Sequence, residues 1–299
     1  MLYKLVGDKE RKPDSWRDSI LIQIDKGKKD KADLANKRNI HTKRDIVKFF
    51  GHIVTNVLKE KIVENIPPFQ IGAVPGHRAE EHLFTVNSFL LMVERNKTAV
   101  AIQQYDLSTF FDKESLLDCL NELYNSNIKG KVYKLIHELN KDTRITVRTP
   151  VGDSSPEELD EGMAKGSLDG AIVSSNSISK GLEGFFEDSE YEVSYGPLVL
   201  SCLSFQDDLF RLSFDPVNAQ HGNDRLENLA ETKLLNYNLT KTSITIVGEK
   251  RAREELRLKF ENNNPTLYGK KVQIVDQATY LGDKLGTDAS RSISLTIKK

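Results

Sequence analysis

Two cysteines, one tryptophan and three methionines in 299 residues narrow the chemistry at once. Cys119 and Cys202 lie in apolar stretches with no Cys or His at metal-ligand spacing. That argues against a thiolate zinc site or a disulfide framework and for two reduced, buried thiols. Long apolar runs are missing too. None approaches the roughly 20 residues that span a membrane, and Met1 to Arg17 is too punctuated by charge for a secretory leader. The expectation is an intracellular protein, nuclear or cytoplasmic, with no membrane partner. Nor does one sign of charge dominate: 43 Lys and Arg stand against 44 Asp and Glu, so the net charge of −1 does not mark a nucleic-acid binder. The distribution is less even. Between Met1 and Lys48 there are 14 basic residues against 8 acidic ones, which suits either an arm that neutralises phosphates or a solvated lysine-rich loop.

What is present is a chain with 38% hydrophobic residues, long enough for about two domains. Within it, Leu198 to Phe205 reads as a buried strand and Leu209 to Phe214 as its return, so Asp207 and Asp208 fall at the turn of a tight hairpin. Adjacent carboxylates also occur in ordinary solvated turns. Held side by side at a hairpin tip they repel, and a hard divalent cation relieves that repulsion. A third carboxylate, Asp106, ends the mostly apolar run that begins at Thr98, another strand by its pattern. Three carboxylates at one sheet edge would suit two metal ions acting on an in-line phosphoryl displacement.

Around these aspartates the residues form a known series. Tyr105 to Asp112 resembles motif A of reverse transcriptases, and Phe205-Gln206-Asp207-Asp208 resembles their aromatic-x-Asp-Asp motif C. Gly162 to Ser167 resembles motif B, Leu235 to Thr242 motif D, and Tyr280-Leu281-Gly282 motif E, all in the family's order. The spelling is that of non-LTR, LINE-type retrotransposons and runs from about Trp16 to Gly282.

That resemblance implies an α+β fold of right-hand polymerase fingers and palm, with an antiparallel palm sheet, helices packed on one face and the thumb absent. Residues 1–98 would be fingers, 99–286 palm, and 287–299 the start of a connection to the missing thumb. The implied activity is RNA-directed DNA synthesis, in which a primer 3′-hydroxyl attacks a dNTP on an RNA template. Asp106, Asp207 and Asp208 would hold two Mg²⁺ ions, with Mn²⁺ as a substitute. Lys241 of motif D would protonate the leaving pyrophosphate, unless it is a surface lysine that starts a strand. Lys26 and Arg38, one from each strand of a fingers hairpin, would grip the triphosphate. Phe111 would be the ring that excludes a 2′-hydroxyl, although Phe110 or Phe111 must serve as core. Gln70, in Gln70-Ile71-Gly72, would pack against template, and Lys165 and Gly166 of motif B would approach the template base and primer.

Three spellings depart from the family. Asn39 replaces Pro in Arg-Pro-Ile, Lys165 replaces Gln, and Gly170-Ala171 replaces Ser-Pro. These departures keep two other readings open: a catalytically silent or domesticated nucleic-acid-binding remnant, and an RNA-templated RNA polymerase on the same palm.

Overall fold

A computed structural model of the chain describes residues 12–27, 36–108, 114–159, 168–183, 193–195, 198–200 and 202–286. In chain order the main elements are β1 (Asp18–Asp25), β2 (Lys37–Lys43), α1 (Asp45–Val63), α2 (Ala79–Arg95), β3 (Ala99–Ser108), α3 (Leu116–Asn125), α4 (Gly130–Asn140) and β4 (Arg144–Thr149). There follow β5 (Gly152–Asp153), β6 (Glu157–Glu158), α5 (Leu168–Leu182), β7 (Val193–Tyr195), β8 (Leu198–Leu200), β9 (Cys202–Phe205), β10 (Asp208–Ser213) and α6 (Pro216–Thr232). The chain continues with β11 (Asn236–Tyr237), β12 (Ser243–Gly248), α7 (Lys250–Asn262), β13 (Thr266–Leu267), β14 (Lys270–Lys271), β15 (Gln273–Val275), β16 (Gln277–Tyr280) and β17 (Asp283–Gly286). Among the described residues no helix is long and apolar enough to cross a membrane.

The chain divides into two compact units, Met1–Ile66 with Thr109–Lys180 and Pro67–Ser108 with Gly181–Lys299. In the first unit β1 pairs antiparallel with β2 and parallel with β4, and that parallel partner draws the segment after β3 back to the N-terminal hairpin. Helix α1 buries Val47, Phe50, Val54, Leu58 and Ile62, the three-and-four spacing of one helical face, and Trp16 stacks at 5.0 Å on Phe50.

The second unit is built on a sheet ordered β15-β12-β3-β10-β9, with β11 also paired to β3. All pairings are antiparallel except β12 with β15. Alternation along β3 and β10 gives the sheet two different faces. Val100, Ile102, Phe210 and Leu212 point to one, where they meet Val86, Phe89, Leu90 and Val93 of α2 together with Tyr280 and Leu285. Each buried ring there contributes about 1.5–3 kcal/mol. Gln103 and Arg211 point to the other face and bond to Asn223 and Asn218 of α6. Helices therefore cover both faces rather than one. The difference comes from α2: its amphipathic spacing announces a buried face, but only the fold shows that this face lies on the aspartate-bearing sheet and not in a separate N-terminal domain.

Candidate active site

Asp106 and Asp208 stand directly opposite each other in the antiparallel register of β3 and β10. Since side chains alternate, both belong to the face of Ile102 and Phe210, at the end of the sheet where apolar packing stops. Asp208 is also opposite Phe205 of β9, which leaves Gln206 and Asp207 as a two-residue turn. Gln206 occupies the left-handed region at φ 57°, a conformation that hairpins of this length use and that glycine adopts most easily. The third carboxylate thus sits on the turn beside the facing pair.

The charges crowd one another. Although part of Asp208 reaches solvent, its carboxyl is pushed up to about 6, first by burial and then by the charges of Asp207 and Asp106, with Lys241 acting in the opposite direction. Lys241 reaches both oxygens of Asp106, with Nζ at 2.7 Å from Oδ1 and 2.8 Å from Oδ2. Its backbone is held in place by a turn tied to β3: Asn238 N donates to Asp106 O at 2.7 Å, and Lys241 N donates to Asn238 O at 3.0 Å. A cavity of about 150 Å³ opens between them, lined by Gln104, Asp106, Asp208, Lys241, Thr279 and Tyr280 among others.

Among the described residues no three acidic, His or Cys side chains form a ready metal cage, and the Asp106 oxygens are turned to the Lys241 ammonium instead. The donor chemistry nevertheless fits a hard divalent cation. Three carboxylates, one of them resisting ionisation because of its burial and then its charged neighbours, gain from any positive charge placed among them. Lys241 is one such charge.

Of the residues singled out in the sequence, Asp106, Asp207, Asp208 and Lys241 come together in the second unit. Gln70 belongs to the same unit. It is 1% exposed, and both ends of its amide are bonded within the protein. Lys26 and Arg38 lie on the β1–β2 hairpin of the first unit, as expected of a hairpin: Arg38 opposes Ile24, and Lys26 follows β1 directly. Phe111, Lys165 and Gly166 lie outside the described residues.

Sequence reasoning passed over a network behind the aspartates. Arg211 is fully buried between Phe210 and Leu212, and its guanidinium donates to Gln103 Oε1 at 2.9 Å and to Asn218 Oδ1 at 2.7 Å. Gln103 donates to the Tyr105 hydroxyl at 2.7 Å, which donates to Asn223 Oδ1 at 2.6 Å. The two strands that carry Asp106 and Asp208 are thereby fastened to α6. An arginine inside an apolar strand was the available signal, together with Gly222, where a Cβ would fall 2.1 Å from Arg211 Nη1.

No family model and no curated protein matches the chain. Solved structures do. Apo telomerase from Candida tropicalis truncated from its C-terminal domain aligns with a TM-score of 0.55 at 13% identity, over 91% of this chain and 54% of that one. Telomerase from Candida albicans in complex with a TWJ fragment of telomeric RNA gives 0.57 at 10% identity, over 93% and 46%. Apo telomerase from Candida tropicalis gives 0.55 at 12%, over 91% and 47%. The chain spans about half the length of these structures. What the chain shares with them is the fold.

Proposed function

We propose that the chain is an RNA-directed DNA polymerase whose active site is the Asp106, Asp207 and Asp208 cluster. One observation carries this: on a reverse-transcriptase-like fold, Asp106 and Asp208 are register partners with Asp207 on the adjoining turn. Two Mg²⁺ ions held by these carboxylates, with Mn²⁺ as a substitute, would supply activation of the primer 3′-hydroxyl and neutralisation of the departing pyrophosphate. The chain's own residues do the rest. Asp106, Asp207 and Asp208 set the positions of the reacting groups, and Lys241 Nζ gives its proton to the pyrophosphate oxygen as the bond to the α-phosphate breaks. Lys26 and Arg38 bind the triphosphate, Phe111 selects dNTPs, and Lys165 and Gly166 meet the template base and primer. The order and spelling of the five motifs favour a non-LTR retrotransposon origin.

A catalytically silent nucleic-acid-binding remnant is the second reading. Lys165 at the usual Gln position and the ammonium seated on Asp106 favour it. Primer extension on an RNA template, with Mg²⁺ or Mn²⁺ and with dNTPs or rNTPs, decides between them. Extension should use dNTPs and fall about a thousandfold or more in Asp106→Ala and Asp207→Ala, with RNA binding kept. Parent-level extension by either variant sinks the assignment, and an inactive parent that still binds RNA supports the remnant.

A further inference from the structure

Gln206 is not a glycine, yet it holds the left-handed conformation on which the Gln206–Asp207 turn depends. The contacts at this residue lead to one side chain outside the hairpin. Gln70 Nε2 donates to Ser204 Oγ at 2.9 Å and to Gln206 O at 3.4 Å, while Gln70 Oε1 accepts from Gln206 N at 2.9 Å. One buried amide thus bonds both backbone groups of the left-handed residue. Ser204 Oγ adds a donor to Gln206 O at 3.0 Å.

The segment that brings Gln70 there is itself attached to β9. Ser204 N donates to Phe69 O at 2.8 Å, and Ile71 N donates to Ser204 O at 3.2 Å, a parallel bridge one residue long. Phe69 and Ile71 are buried on either side of Gln70, so the strip has little freedom to move. Gly72 completes the arrangement. Its N–H donates to Gln70 Oε1 at 2.9 Å, and a Cβ on it would fall 2.3 Å from Gln206 N. The Gln-x-Gly spelling follows from these contacts: the amide must reach the turn, and two residues later the backbone must pass against it.

We infer that Gln70 is a positioning residue, whose buried amide holds Gln206 left-handed and so sets where the carboxylates of Asp207 and Asp208 stand. It acts through the turn and touches neither template nor nucleotide. This inference rests on the reading of those carboxylates as a cation site.

The test uses the full chain, Mn²⁺ titrated by electron paramagnetic resonance, and a labelled RNA–DNA primer–template followed by fluorescence anisotropy. Gln70→Met keeps the volume and removes the hydrogen bonds. It should weaken Mn²⁺ binding by about tenfold or more, the usual effect of losing a group that orients metal ligands, with primer–template affinity unchanged. Adding Gln206→Gly, which adopts the turn without help, should restore most of the Mn²⁺ affinity. Gly72→Ala presses on the turn from the other side and should act like Gln70→Met, which covers the case of a Gln70 variant that does not fold. Parent-like Mn²⁺ affinity in folded Gln70→Met or Gly72→Ala, or a loss confined to primer–template binding, overturns the role of Gln70. A parent whose Mn²⁺ binding is indifferent to Asp208→Asn overturns the cation site itself, and with it this inference.

Discussion

Lys241 Nζ lies within 2.8 Å of both carboxylate oxygens of Asp106, across 135 residues of sequence. A single ammonium therefore occupies the charge that a cation among the aspartates would need. On the proposed function, a cation that takes Asp106 would compete with Lys241 for these oxygens, and a lysine so released would be available to a phosphate.

Replacing Lys241 with Met should for that reason move two measurements in opposite directions. The pair is half exposed, with Lys241 at 55% and Asp106 at 25% side-chain accessibility, so its strength is about 1 kcal/mol or less. Mn²⁺ affinity should then rise about fivefold at most. The turnover of primer extension should fall by about a hundredfold or more as the proton donor is lost. A joint fall in both would mean that Lys241 supports the site rather than competing for it.

Gly222→Ala tests the network behind the aspartates. Its new Cβ would meet Arg211 Nη1 at 2.1 Å, and the guanidinium has no space to retreat because it is fully buried. At least one bond, to Gln103 or Asn218, has to break. Bonds to a buried charged group are worth about 1.5–3 kcal/mol each, and urea denaturation should show a loss of that size. An unchanged midpoint would mean that α6 shifts to make room.

The secondary structure around the site was legible because burial leaves a period in the sequence. The apolar run into Asp106 is β3, and the run before Phe205 ends in β9. Partners were harder to read. Gln70 and Ser204 are 134 residues apart, and nothing local distinguishes a glutamine that braces a turn from one that faces nucleic acid. The role of Arg211 was hidden because its partners, Gln103 and Asn218, lie on β3 and α6. Polar side chains carry no period. Their roles appear only when the fold brings their partners together.

Choice of sugar should depend on Phe111, five residues after Asp106 in the motif A spelling. Phe111→Val should admit rNTPs with little loss of dNTP use, read as the ratio of kcat/KM for the two. Phe110→Val should instead lower stability by about 1–3 kcal/mol, as expected when a core ring is lost. Undiminished rNTP discrimination in Phe111→Val would remove the gate from this position.

Acid stability should depend on His82. The imidazole is 3% exposed on α2, and its Nδ1 lies 3.0 Å from the hydroxyl of Tyr280, a residue that also packs on Phe210 of the aspartate strand. Burial lowers its pKa from 6.5 to about 4, because charging the ring there forfeits its hydration. The sign follows from proton counting. Between about pH 6.5 and about pH 4 the unfolded chain binds a proton at His82 that the folded chain does not, so acidification through that window favours unfolding. Above it the contribution is constant. Over the whole interval the loss would reach about 3.5 kcal/mol at most, since a tenfold change in proton affinity corresponds to about 1.4 kcal/mol. Unfolding free energies of parent and His82→Phe, taken by urea titration at half-unit steps from pH 7 to pH 4, should diverge at neutral pH and converge in acid. His82→Phe lacks the Tyr280 bond and should be the less stable of the two at pH 7, with a flatter descent below pH 6.5. Parallel curves would show that His82 binds its proton equally in both states, and the buried neutral imidazole between α2 and β16 would have to be abandoned.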